Sequence, residues 1–575
     1  KNNIFVLQVR PLVSNLSNNW IDDETASKIY SHEIQKYKKY KKENKDYKTP
    51  LFSNMTDWNP AEIIGTTPRP LAYSLYEFLV TDNVWSQQRY EYGYSDYRNK
   101  PLMIEFCGKP YINVTNSLGS LIPRELDEDL KEKILNKYLS NLRRKPYLHD
   151  KVEFEISVNS WSFDLNEKIN KLLPELNKEE RKKLIESIKK ITNRSFESLQ
   201  KELAKIEFCS TEYDLIEAES ISSLSKALKL LKSCKEHGTL PFAHIARSAF
   251  LATNILNSMV NKNFISKNEK KNFINSLNTI TSEIQQDGIK VYMKDLKFKD
   301  FIKKYGHLRP GTYEITSPRY SSNPSFYLKP LVKKPKIKIK NNNFNFSNET
   351  LKTLDSELNR EGIKINARNL INFIKKSIYL REFSKFVFTK NISQALLHIE
   401  DFGKSYDLSI QDLSFVSINY LIDIEEKLKD ENLVKLFKKI SSHNKMCYQV
   451  NDYCELPDLI KSEQDFTFFK IQKNKPNFIT NSKVSSKTVC LDEKHDLKDL
   501  EDSIVFISSA DPGFDWIFGH KIKALVTKFG GINSHMAIRC AELNIPAAIG
   551  IGEDLFKSLL QKERIALDCD GKIIK

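Results

Sequence analysis

Thr527-Lys528-Phe529-Gly530-Gly531-Ile532-Asn533-Ser534-His535-Met536-Ala537-Ile538-Arg539 runs from an apolar stretch through paired glycines into a serine and a histidine. The apolar residues 524–527 predict a strand, and the spacing over residues 534–543 predicts a helix that His535 opens. Glycines let a backbone approach a bulky anion. A helix start adds unpaired N–H groups and the positive end of the helix dipole. An imidazole with its ordinary pKa of ~6.5 is neutral and nucleophilic near pH 7. A phosphoryl group on His535 would then find the Ser534 hydroxyl and the helix start beside it. Taken alone, a histidine at a helix start reads as a cap or a packing group.

Outward from this string, residues 504–507, 546–549 and 564–567 read as further strands and residues 555–560 as a short helix. Asp570-Gly571 supplies a hairpin turn. This alternation predicts a separate α/β domain over residues 478–575. Residues 17–477 form a mostly helical domain, with apolar residues at helical spacing over 130–142, 179–191, 222–231, 242–260 and 370–388. The Lys/Asn-rich residues 333–348 lack that period and read as a loop or insertion. Residues 4–9 read as a lone strand ending at Pro11.

Hydrophobic residues make up 40% of the 575, enough for substantial cores and too many for a wholly disordered chain. No apolar run approaches the ~18 residues of a membrane span. The net charge of +16 sits outside the nearly neutral C-terminal domain, in lysine runs such as Lys36-Tyr37-Lys38-Lys39. No nucleic-acid module accompanies those runs, so they read as solvated faces and no nucleic-acid partner is expected. The 8 cysteines are scattered, with no metal-ligand spacing, which predicts reduced thiols and a cytoplasmic protein.

The string from Thr527, continued through Glu542, Ile545, Pro546 and Ala547, resembles the phosphohistidine swivelling domain shared by phosphoenolpyruvate synthase, pyruvate phosphate dikinase and rifampin phosphotransferase. That pattern reads T-x-x-G-G-x-x-S-H-x-A-I-x-A-R-E-x-G-I-P-A. Cys540, Ala541 and Asn544 depart from it, and Arg539 would replace the arginine lost at 541. The resemblance implies His535 as phosphoryl carrier, with Thr527, Gly530, Gly531, Ser534 and Arg539 around the phosphoryl group. Phe5-Val6-Leu7-Gln8-Val9-Arg10-Pro11 resembles the last strand of the ATP-grasp domain of these enzymes. By that likeness residues 1–16 are its tail, Gln8 helps hold Mg²⁺ and Arg10 meets ATP, and the rest of the domain is expected upstream. No phosphoenolpyruvate-binding barrel is expected after residue 575. The order therefore resembles rifampin phosphotransferase.

Tyr305-Gly306-His307-Leu308-Arg309-Pro310-Gly311, leading to Pro318-Arg319, resembles a segment of that family's acceptor domain. With Asp57-Trp58-Asn59-Pro60-Ala61-Glu62 and Pro68-Arg69-Pro70, it nominates Asp57, Asn59, Glu62, Arg69, His307, Arg309 and Arg319 as the acceptor side. His244 and Arg247 read instead as one face of a core helix. Asp511-Pro512-Gly513-Phe514-Asp515-Trp516 looks like a branch that includes L-glutamine kinase of capsule modification. The resemblance thus implies a dikinase-type phosphotransferase using ATP and Mg²⁺, with the glutamine amide nitrogen as first-choice acceptor. An antibiotic hydroxyl, and a non-catalytic phosphocarrier or binding module, remain as alternatives.

Overall fold

Apolar residues at three- and four-residue spacing become the long helices Lys178–Ala218, Leu240–Asn261 and Ala367–Lys404, which pack on one another and on Ser223–Ser233. The structure, a computed structural model, describes residues 23–43, 50–334, 344–425, 433–452, 454, 456–466, 476–491, 500–531 and 534–575. The expected strand over 4–9 lies outside the described residues, and so do Gln8 and Arg10. Most of the loop expected over 333–348 lies outside them too. Ser347 then caps a helix that begins at Asn348.

The helix expected over 179–191 extends to 41 residues. Asn177 and Glu180 close its start with reciprocal hydrogen bonds. Its buried stripe runs on through Leu199, Ile206 and Cys209 to Ile216, among exposed Glu and Lys that masked the period. Ile245, Ile255, Leu370 and Ile374 meet this stripe in one core. A second core joins Leu224, Leu230, Phe388, Ile392 and Leu396.

A four-stranded antiparallel sheet closes one side of this helical body: β1 (Phe52–Ser53), β2 (Met103–Phe106), β3 (Lys109–Asn113) and β4 (Leu459–Ile460), in the order β2-β3-β1-β4. Phe52 pairs with Asn113 on one side and Ile460 on the other, which fixes the chain as it enters the Asp57 string.

The C-terminal sheet has seven strands: β5 (Asn477–Ile479), β6 (Lys483–Cys490), β7 (Ile504–Ser509), β8 (Ala524–Phe529), β9 (Ala547–Ile549), β10 (Arg564–Asp568) and β11 (Ile573–Ile574). Their order is β11-β10-β6-β7-β8-β9-β5, with β6 to β9 parallel. The expected strands of this region are all present. The sequence analysis missed β5 and β6, because Ser and Lys interrupt the apolar pattern of Lys483–Cys490.

The central strands are buried on both faces, as parallel strands usually are. Ile504, Phe506 and Val526 face the helix Glu553–Leu560 through Phe556 and Leu559. Val505, Ile507, Leu525 and Ile549 face the helix His535–Glu542 and also Phe301, Tyr305, Tyr320 and Tyr327 of the helical body. One hydrophobic core therefore spans the C-terminal sheet and the body.

The two approach closely at Gly513. A Cβ there would lie 2.1 Å from the Arg309 carbonyl oxygen and 2.3 Å from that of Pro310. The Tyr320 hydroxyl donates to the Gly513 carbonyl at 2.7 Å. Gly513→Ala is expected to prise the C-terminal domain from the body at an overpacking cost of ~1–3 kcal/mol. Far-UV circular dichroism should stay unchanged while small-angle scattering reports a larger radius of gyration.

Candidate functional site

Ser534 caps the helix His535–Glu542, its Oγ accepting from the Ala537 N–H at 3.3 Å. The loop before it turns on Gly530 at φ +141°, which meets Gly550, at φ +69° just after β9, backbone to backbone. A Cβ on Gly550 would sit 2.3 Å from the Gly530 carbonyl oxygen, so the two glycines hold β8 and β9 closer than side chains allow. Thr527, fully buried, accepts the Gly550 N–H at 3.0 Å. In this conformation Thr527 ties the loop together from inside the sheet. Gly531 keeps open space toward Asp150, whose Oδ2 would lie 3.9 Å from an added Cβ.

His535 is largely buried, and its Nε2 lies 2.8 Å from Asp515 Oδ1. Asp515 stands on the 3₁₀ segment Pro512–His520, and its second oxygen accepts from the Thr281 hydroxyl of the body at 3.1 Å. Arg539 joins from the next helical turn, with Nε 3.4 Å from Asp515 Oδ1 and one Nη 2.6 Å from Glu542. Burial disfavours the His535 imidazolium, but the Asp515 carboxylate outweighs it and holds the pKa above the ordinary histidine value. Burial likewise works to raise Asp515, and His535 with Arg539 overcome it and hold the carboxyl below its usual range. The docked histidine is thus favoured in its charged form. Because its folded pKa is raised, the pair's stabilisation is complete below ~6.5, the unfolded value, and is lost as pH rises through the higher folded one.

Two cavities open on His535. The smaller, about 290 Å³, is lined by Asp57, Asn59, Glu62, Arg247, Gly531 and Ser534 besides His535. The larger, about 530 Å³, is lined by His307, Arg309, Thr281, Asp515 and Arg539 along with His535. The Asp57 string, nearly five hundred residues earlier in the sequence, therefore meets the histidine. Asp57, Trp58 and Asn59 all adopt left-handed φ of 46°, 51° and 34°, a run of strain that non-glycine residues seldom bear outside functional sites. Pro60 starts a short helix directly after it, Arg89 pairs with Asp57 at 2.5 Å, and the Ser117 hydroxyl donates to the same oxygen at 2.8 Å.

Glu62 is buried and held by the Asn59 amide at 3.2 Å. Burial, with Asp511 adding and Lys385 opposing, pushes its carboxyl up to about 7. Asp511 gives one oxygen to the Gly513 N–H at 2.6 Å. The other has no hydrogen-bond partner, and burial raises this carboxyl as well.

Of the other expected acceptor-side residues, His307 and Arg309 line the larger cavity and Arg69 and Arg319 line neither. His307 is buried and donates from Nε2 to the Phe386 carbonyl at 3.1 Å, and burial drops its pKa to about 3, so it is a neutral packing group on the wall of the larger cavity. Arg309 lines that cavity too, with its guanidinium taken by Ser317 O at 2.6 Å and Ser393 Oγ at 3.1 Å. Arg69 and Arg319 line neither cavity. Arg69 is turned to Thr316 at 2.7 Å and Arg319 to Gln394 at 3.2 Å, so both brace the body. His244, read as a core residue, pairs with Glu91 at 2.8 Å, whereas Arg247 lines the smaller cavity.

The sequence analysis missed Arg381, Glu382 and Lys385 on the helix Ala367–Lys404. Arg381 lines the smaller cavity, and Glu382 and Lys385 line both. The spacing held a signal, because like charges one turn apart destabilise a helix unless something anionic faces them. Burial, helped by the Glu542 and Asp515 carboxylates, raises the Glu382 carboxyl against the opposing pull of His535 and Arg381. Among the described residues no group of three or more His, Cys, Asp or Glu is placed to hold a metal ion. The 8 cysteines are all free. No helix among the described residues is long and apolar enough to cross a membrane.

Residues 500–572 match the family model of the PEP-utilising enzyme, mobile domain. That match supports placement in the PEP-utilising enzyme superfamily, and with it phosphotransfer through a phosphohistidine as the general class of activity. A comparison with the curated proteins found no match.

Two substitutions check the electrostatics. Glu62→Gln removes a carboxyl that folding makes harder to ionise, so it should stabilise the protein at pH 8 by up to about 3 kcal/mol and leave it unchanged at pH 4, read by chemical unfolding. Asp515→Asn leaves only Glu382 to oppose burial at His535, so the imidazole pKa should fall below the wild-type value in an NMR titration.

Proposed function

We propose that the protein is a dikinase-type phosphotransferase in which His535 carries a phosphoryl group to a small acceptor bound in the 290 Å³ cavity. One observation carries the reading: His535 of the mobile-domain-like segment and the strained, carboxylate-bearing Asp57 to Glu62 string of the body line a single cavity. In the transfer, the acceptor's nucleophilic atom forms the new bond to phosphorus and the N–P bond of the phosphohistidine breaks. The acceptor's proton goes to Glu62, whose pKa near 7 suits it to take a proton at neutral pH. The electron pair of the broken bond stays on the ring nitrogen, the ring takes a proton from solvent water, and Asp515 steadies the protonated ring. Arg381 and Lys385 are suited to meet the phosphoryl oxygens while they change hands.

In this reading residues 478–575 form the swivel domain and residues 17–477 the acceptor domain. Residues 1–16 belong to an ATP-grasp domain in which Gln8 and Arg10 serve ATP and Mg²⁺. The acceptor proposed is L-glutamine, through its amide nitrogen. The Asp511-Pro512-Gly513-Phe514-Asp515-Trp516 string, which resembles the glutamine-kinase branch, supports this over a rifamycin.

The test bypasses ATP. Treated with phosphoramidate, which phosphorylates imidazoles directly, the protein should gain acid-labile phosphate at His535, absent from His535→Ala. L-Glutamine should discharge that label, at a rate at least tenfold slower in Lys385→Met. A label that forms equally on both proteins would sink the phosphohistidine reading, and a label stable to glutamine would sink the acceptor.

A further inference from the structure

Arg247 lies on the helix Leu240–Asn261, 6% exposed, and gives one Nη to Glu153 at 2.6 Å. Its Nε has no hydrogen-bond partner. The acids Glu153 and Asp57 and the Tyr94 hydroxyl outweigh the burial that opposes its charge, so it stays a cation deep in the body. Two further residues of the same cavity also hold unpartnered buried donors: Gln88 at Nε2 and Trp58 at Nε1. Gln88 is 2% exposed. Buried donors are rarely left without acceptors, since each costs on the order of 1–3 kcal/mol. Three on the wall of one cavity indicate a ligand that brings acceptors with it.

The remaining lining selects which ligand. Phe154, Phe242, Phe250 and Phe388 are apolar, and although the Glu62, Asp150 and Glu382 carboxylates also line the cavity, none of them takes these three donors. The Asp57 carboxylate is spent on Arg89 and that of Glu153 on Arg247 itself. A guanidinium, an amide and an indole N–H on the wall of one cavity suit a planar two-oxygen anion. We infer that Arg247, with Gln88 and Trp58, forms a carboxylate-binding subsite, so that the acceptor class is a small molecule bearing a carboxylate apart from its phosphorylated atom. The inference rests on the reading of this cavity as the acceptor site. It makes Arg247 a specificity residue that holds the acceptor and leaves the transfer itself to others.

Calorimetric titration without any phosphoryl donor tests it, so its outcome is separate from that of histidine labelling. L-Glutamine, L-asparagine and L-serine are the carboxylate probes, and L-glutaminamide, whose carboxylate is an amide, is the matched neutral one. At least one carboxylate should bind the wild type, and L-glutaminamide should bind at least 30-fold more weakly than L-glutamine. Arg247→Met alone would leave Glu153 buried and unpaired. The paired change Glu153→Gln with Arg247→Met is therefore the main variant, and Gln88→Met is the milder second. Both should weaken carboxylate binding, the first by 30-fold or more, with L-glutaminamide unaffected. Failure of all three carboxylates to bind, equal binding of glutamine and its amide, unchanged affinity in the paired variant, or tighter binding of inorganic phosphate than of any carboxylate would each overturn the inference.

Discussion

The Asp515 carboxylate fixes two things at once. One oxygen holds the His535 ring and the other takes a hydrogen bond from Thr281 across the boundary between the C-terminal sheet and the helical body. An ion inside a partly dry interface is tolerated only when it is hydrogen-bonded or paired, and here His535 and Thr281 bond Asp515 while the Arg539 charge lies 3.4 Å away. The orientation of the histidine is thereby coupled to docking. Separating the two bodies strips Asp515 of its Thr281 partner and exposes it to water, which weakens its hold on the ring.

Shape enforces the same coupling. Gly513 lets the 3₁₀ segment pass against the Arg309–Pro310 backbone, and Trp516, Tyr320 and Tyr327 pack around it. Two strings that the sequence analysis singled out for different reasons, one in each body, therefore touch. Arg309 and His307 serve that contact. One braces the turn through Ser317 and Ser393 and the other packs on Phe386.

Charge around His535 is distributed unevenly. Raised carboxyls at Glu62, Asp511 and Glu382 crowd one region, with Arg381 and Lys385 among them. Groups whose environments push their pKa values apart are a common mark of sites that move protons and anions. The left-handed turn at Asp57 to Asn59 belongs to the same picture, because it is kept only where packing and the Arg89 pair over-determine it.

The C-terminal alternation of apolar strands with short amphipathic helices was plain in the sequence, since its central strands are continuous apolar runs between turn residues. The Ser-His helix start and its flanking glycines were equally local, and so was the Asp57 string, whose proline and asparagine announce a turn. Sequence alone determined these because each depends on neighbours within a few positions. The convergence of Asp57, Glu62, Arg247, Arg381 and Lys385 on His535 was decided by tertiary structure, as was the placing of His307 and Arg309 on the wall of the larger cavity and of Arg69 and Arg319 outside both. A side chain's partners lie hundreds of residues away in sequence, and periodicity reports only that a residue faces inward. Whether it meets a carbonyl, a carboxylate or a cavity follows from how helices and sheet pack.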